Sequence, residues 1–263
     1  MRILTAEASN AGDSVADVLA SWSPAVAAVT SISPTDACTV ATRLALRYAV
    51  QCWDVPRAGK AVFWKPVLPL QGVFRTEFLH RDESEPSAPS GALRVTLEWD
   101  GNPLHVLCAQ LSSAAHDADW QLVQIARELS TAQGPAFLAV DAGGAGLPVW
   151  PAFSDVWSAA HWRSIEFPEA FDAGDAARSA FGLSTAAAPT TSPGVSSLLG
   201  ARRVRLFCSE HFSVVRARHV AWIGSSDAYP LIADVTSRAN GVENFGNAGS
   251  NGSLSRAESY SQS

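Results

Sequence analysis

The chain has 263 residues, 47% of them hydrophobic and 17% charged, enough for a single domain with a sizeable core. A formal net charge of -6, with Lys60 and Lys65 the only lysines, argues against a nucleic-acid backbone as partner. No run approaches the roughly 20 apolar residues of a membrane span, so no membrane is expected.

Met1 to Ala6 enters a strand pattern at once, without the apolar core of a secretory leader, and a cytoplasmic location is the expectation. Cys38, Cys52, Cys108 and Cys208 are far apart and form no CxxC pair, which predicts reduced thiols and no cysteine metal site. The first strand is read over Arg2 to Ala6. An amphipathic helix follows over Ser14 to Trp22, with Val15, Val18 and Leu19 on one face. Ala25 to Val29, wholly apolar behind Pro24, is a buried second strand. The helical spacing over Asp36 to Ala49, which includes Leu44, Leu46 and Tyr48, predicts a second helix started by Pro34 and Thr35. Short strands are expected at Ala61 to Trp64 and Gly72 to Leu79. His80 to Gly91, rich in Asp, Glu, Ser and Pro, reads as a loop.

Leu93 to Trp99 and Leu104 to Leu111 flank Asp100-Gly101, which supplies the positive backbone angles of a tight hairpin. Asp119 to Ser130 is an amphipathic helix with Leu122, Ile125, Ala126 and Leu129 facing inward. Gly134-Pro135 precedes Ala136 to Val140, an apolar strand that delivers Asp141 at its end. Ser184 to Pro193 reads as a surface excursion. Val204 to Cys208, Val214 to Val220 and Pro230 to Val235 restore strand patterns. Residues 1–238 form the domain, and 239–263, rich in Gly, Asn and Ser, form a tail too poor in apolar residues to order. Early alternation of strands and helices, followed by hairpins, points to a mixed-sheet α/β sandwich.

Five strings in this order carry a resemblance: Met1-Arg2-Ile3-Leu4-Thr5, Pro24-Ala25-Val26-Ala27-Ala28-Val29, Leu107-Cys108-Ala109-Gln110-Leu111, Gly134-Pro135-Ala136-Phe137-Leu138-Ala139-Val140-Asp141 and Ser226-Asp227-Ala228-Tyr229-Pro230-Leu231. Together they resemble the motif strands of the endonuclease/exonuclease/phosphatase superfamily, the DNase I-like proteins. The resemblance implies a four-layer sandwich, two mixed β-sheets packed face to face with helices outside. It also implies metal-assisted hydrolysis of phosphate esters at the converging strand ends, with Mg²⁺ or Mn²⁺ as cofactor.

Matched residue by residue, the expected asparagine of the first strand falls on Glu7 and the metal-binding glutamate on Ser31. The third-motif histidine falls on Gln110, which donates a hydrogen bond but carries no proton. Asp141 and Asp227 keep the family's aspartates, but Gly143 replaces the accompanying asparagine and Ala228 the final histidine, and a further aspartate falls near Arg205. Asp141 and Asp227 are therefore the surviving catalytic carboxylates, Glu7 and Asp141 the candidate metal ligands, and Gln110 a candidate substrate contact. Losing one positioned acid or base costs about 10² to 10⁴ in rate, so a degenerate member that acts by binding is the leading expectation. Its rival is a divergent metal-dependent phosphoesterase rebuilt with His80, Asp82 and Glu83, or with His116, Asp117 and Asp119, although solvated loop charge is the simpler reading of both sets. A third reading is an unrelated α/β binding module. Arg202, Arg203, Arg205, Arg216 and Arg218 read either as a basic groove or, preferably, as alternating exposed strand positions, and His105 as an ordinary strand residue. The partner is not legible.

Overall fold

In the computed structural model of the chain, the described residues are 1–8, 12–52, 59–78, 90–112, 115–131, 134–142, 147, 152–166, 204–220 and 230–238. Among these residues, thirteen strands build two mixed sheets. The seven-stranded sheet runs β10(Trp162–Glu166), β12(Phe212–Val220), β13(Leu231–Ser237), β1(Arg2–Glu7), β2(Val26–Thr30), β4(Lys60–Trp64), β3(Arg47–Gln51). The six-stranded sheet runs β5(Leu70–Glu77), β6(Gly91–Trp99), β7(Asn102–Gln110), β8(Ala136–Asp141), β11(Val204–Ser209), β9(Phe153–Asp155). Pairs β1–β2, β7–β8 and β10–β12 are parallel and the remaining pairs antiparallel.

Strand alternation sorts the side chains into three apolar clusters. Between the sheets lie Ile3, Val26, Ala28, Val62 and Trp64 from one and Val95, Val106, Phe137, Ala139 and Leu206 from the other. Phe137 stacks on Phe212 at 4.4 Å between ring centroids, and Phe212 on Trp99 at 5.3 Å. The outer face of the larger sheet, with Leu4, Ala27, Val29 and Phe63, is covered by α1(Gly12–Trp22) and α2(Pro34–Leu44). The outer face of the smaller sheet, with Leu107, Ala109, Leu138 and Val140, is covered by α3(Ala115–Thr131). The order helix, sheet, sheet, helix is the expected four-layer sandwich. A short helix, α4(Val156–Ala159), is capped by the Asp155 carboxylate accepting from the Ser158 amide at 2.9 Å.

Expectation and structure part in three places among these elements. The second helix stops at Leu44, where Ala45 turns left-handed (φ 51°), and Leu46 and Tyr48 belong to the approach to β3 and to β3 itself. The expected helix takes in Leu46 and Tyr48, but an edge strand beside β4 buries Ala49 and Gln51 instead. β9, α4 and β10 were not anticipated. Asp117, grouped with solvated loop charge, is buried at 2% exposure in the first turn of α3, while Asp119 is exposed. The hairpin is as read, with Asp100 at φ 51° and Gly101 at φ 73°. The expectations for 80–89, 184–193 and the tail 239–263 lie outside the described residues.

Of the five arginines, those among the described residues form no single groove. Arg202 and Arg203 lie outside the described residues, and the other three divide between β11 and β12, in different sheets. Arg205 reaches Asp155 at 2.8 Å, and Arg218, only 8% exposed, lies 3.7 Å from Asp234 and over the Trp22 ring. Exposed alternation thus holds for Arg216 but not for Arg218.

Candidate functional site

Inward-facing positions change character along the sandwich. In its middle, one row of the larger sheet is Trp64, Val26, Ile3, Ala233 and Ala217, opposed by Val95, Val106, Phe137 and Cys208. One row higher stand Ala49, Val62, Ala28, Thr5, Leu231 and His219, and in the other sheet Leu93, Cys108, Ala139 and Leu206. The topmost row is polar: Gln51, Lys60, Thr30 and Glu7 in adjacent register on one sheet, Gln110 and Asp141 in adjacent register on the other. Each shares the face of the inward residue two positions below it, so all six turn into the space between the sheets. Glu7 and Asp141, 9% and 5% exposed, are therefore brought to the same end, with Gln110 beside Asp141.

The backbone holds this end in place. The Leu111 amide donates to the Asp141 carbonyl at 2.9 Å, and the Ala8 amide to the Thr30 carbonyl at 2.9 Å. Gln121, fully buried on α3, accepts from the Ser112 amide at 2.7 Å and donates to the Ser90 hydroxyl at 2.8 Å, tying the exit of β7 to the entry of β6. Gln51 crosses between sheets, its amide donating to the Thr76 carbonyl at 3.2 Å. The Cys108 thiol also spans the gap, donating to the Val29 carbonyl at 3.8 Å. Ser31, the position matched to a metal-binding glutamate, follows β2 with a left-handed φ of 58°.

Lys60 is the residue that sequence reasoning missed. It has no exposed surface and opens β4 in the polar row. Burial pushes its ammonium down from the ordinary 10.5 to about 7, opposed by the Asp141 carboxylate. Burial equally pushes the Cys108 thiol up to about 12, which leaves it neutral at physiological pH, so Asp141 is the anion that acts on Lys60 there. His219 was also missed. It is 1% exposed, one row below the polar layer, with its ring 4.6 Å from that of Trp157. The available signals were slight: a rare lysine directly before Ala61-Val62-Phe63-Trp64, and a histidine closing the alternating Val214 to Val220 run.

Asp227 and Ala228 lie outside the described residues, as do Gly143, His80, Asp82 and Glu83. Among the described residues, no three His, Cys, Asp or Glu side chains come together as a group able to hold a metal ion. Lysine offers a divalent cation no anionic oxygen and, when charged, repels it. Among the described residues, the groups around Glu7 and Asp141 therefore do not fit Mg²⁺ or Mn²⁺.

No family model and no curated protein matches the sequence. Solved structures do. An endonuclease/exonuclease/phosphatase from Bacteroides vulgatus matches with a TM-score of 0.66 at 11% identity, over 90% of this chain and 98% of that one. A humanized TDP2 of D. rerio matches at 0.62 and 12% identity, over 90% and 99%. A mannosyl-6-phosphatase from Bacteroides thetaiotaomicron matches at 0.59 and 11% identity, over 90% and 99%. At these identities the likeness is one of architecture, and it agrees with the two packed sheets: the chain has the DNase I-like fold that these endonuclease/exonuclease/phosphatase structures share.

Proposed function

We propose that the protein is a catalytically degenerate member of this fold that acts by binding a polar ligand at the end of the sandwich where Glu7, Gln110 and Asp141 meet. The observation that carries the reading is a set of buried oxygens on this inward face: Thr5 Oγ1, Thr30 Oγ1, Gln51 Oε1 and Gln110 Oε1 have no hydrogen-bond partner among the described residues. Buried polar atoms are costly unless satisfied, and a ligand or solvent molecule donating hydrogen bonds would satisfy these. Gln110, beside Asp141, supplies a hydrogen bond where proton transfer would need a titrating group. With a net charge of -6, the partner is other than a nucleic-acid backbone. Four free thiols support a reducing, cytoplasmic setting, and no helix among the described residues is long and apolar enough to cross a membrane.

Hydrolysis of a chromogenic phosphodiester and a phosphomonoester with added Mg²⁺ or Mn²⁺ tests the reading. Wild type is expected to show no turnover above the Asp141→Ala variant. Metal-dependent turnover abolished by that substitution would favour the alternative, a divergent phosphoesterase with a rebuilt site. One observation supports that alternative: His219 brings an imidazole to the same end of the sandwich, one row beneath the polar layer.

A further inference from the structure

We propose that Lys60 is a built-in cation, its ammonium taking the place of a divalent metal ion between the carboxylate-bearing ends of the two sheets. Lys60 lies in register with Thr30, which lies in register with Glu7, so on one sheet the amine and one carboxylate flank a threonine. From the facing sheet Asp141 acts on the ammonium electrostatically. Buried carboxylates repel one another and demand a compensating positive charge. A protonated lysine supplies one from within the chain, where a metal ion would have to be bound from solution.

The backbone leaves Lys60 little freedom to swing aside. Gly59 approaches Ile32 so closely that a Cβ there would stand 2.2 Å from the Ile32 carbonyl oxygen, and the Ile32 amide donates to the Gly59 carbonyl at 3.0 Å. The amine thus enters the polar row from a strand fixed immediately before it. The surrounding groups suit an ammonium better than a metal ion. Thr30, Gln51 and Gln110 contribute neutral oxygens, and Ser31 stands where the resemblance places a carboxylate. A divalent ion added beside this lysine would meet like charge at short range, with no aqueous screening.

The inference is independent of whether the protein turns over a substrate, because its test reads metal binding and stability. The full chain is titrated with Mn²⁺ at pH 6, on the protonated side of Lys60, by calorimetry and by thermal unfolding. Wild type is expected to show no saturable heat and no shift in Tm. Lys60→Met keeps the apolar stem and removes the charge. It is expected to lose stability in metal-free buffer, bind Mn²⁺ saturably and recover its Tm as Mn²⁺ is added, and the double variant Lys60→Met/Asp141→Asn should lose that gain. Should Lys60→Met be unfolded without metal, refolding on addition of Mn²⁺ supports the inference and failure to refold overturns it. Lys60→Arg, which keeps the charge, should stay indifferent to Mn²⁺. Saturable Mn²⁺ binding by wild type that disappears in Glu7→Gln overturns the inference outright.

Discussion

A lysine with no exposed surface gives up the hydration of an ammonium, and at Lys60 that loss makes stability depend on pH in an unusual direction. The groups around it are Glu7, Thr30 and Gln51 on its own sheet and Cys108, Gln110 and Asp141 on the facing one. In the unfolded chain the amine stays protonated to about pH 10.4. In the folded chain, burial brings its pKa to about 7 against the pull of Asp141, so above neutrality the unfolded state binds more protons. Stability contributed by this group must then rise with pH, by at most about 1.4 kcal/mol per unit. The clean window ends near pH 9, the ordinary thiol value, because the raised pKa values of Cys108 and Cys208 reverse the sign above it. Urea unfolding between about pH 7 and pH 8.5 is expected to show a gain of roughly 1.5 kcal/mol in wild type, absent from Lys60→Met. An unchanged or falling stability over that interval in wild type would contradict the placement of Lys60. Nothing in the sequence around it announced this behaviour. Glu7, Gln110 and Asp141 are legible through the resemblance carried by the strands they end, whereas a polar residue that begins an apolar run reads as an exposed strand start.

At the scale of elements, the junctions beside β3 and β4 carry strain that single substitutions can relieve or worsen. Ala45 ends α2 with φ 51° and ψ 38°, and its amide donates back into the last turn, a position that glycine fills without the Cβ penalty. Ala45→Gly is expected to stabilise by about 0.5–1 kcal/mol, the left-handed cost less the added freedom of the unfolded chain, read as a raised urea midpoint at constant slope. Gly59→Ala acts in the opposite sense. Its Cβ would collide with the Ile32 carbonyl, which is backbone and cannot rotate away, so a loss of about 1–3 kcal/mol is expected. These junctions also show why element boundaries were less legible than elements. The expected helix takes in Leu44, Leu46 and Tyr48 although they stand two apart, a strand's period, and the reversal at Ala45 and the pairing of Tyr48 and Ala49 with Phe63 and Val62, distant in sequence, set the true boundary. The Asp100-Gly101 hairpin was legible for the converse reason, since its turn and both strands are written in consecutive residues.

For the whole molecule, the order β13-β1-β2 makes the last described strand a neighbour of the first, with Arg2 hydrogen-bonded to Asp234 at 2.8 Å and the Met1 ammonium to the Val235 carbonyl at 2.6 Å. The larger sheet is therefore incomplete until the far end of the chain arrives. The smaller sheet packs its inward face on the same cluster, so neither sheet can expose its core alone. The four cysteines read this coupling directly. Cys38 and Cys52 are exposed, while Cys108 and Cys208 are buried between the sheets with thiols pushed up to about 12 and about 11, chiefly by burial. The thiolate is the species that attacks a thiol reagent, so in the native state two groups are expected to react promptly and two to be silent. With increasing urea, the silent pair should become reactive along the same curve as the loss of far-ultraviolet dichroism, because both need the sandwich to open. Reaction of Cys208 at a lower urea concentration than Cys108 would show that the outer strands β9 and β11 separate first, and that the four layers hold together as two cooperative units instead of one.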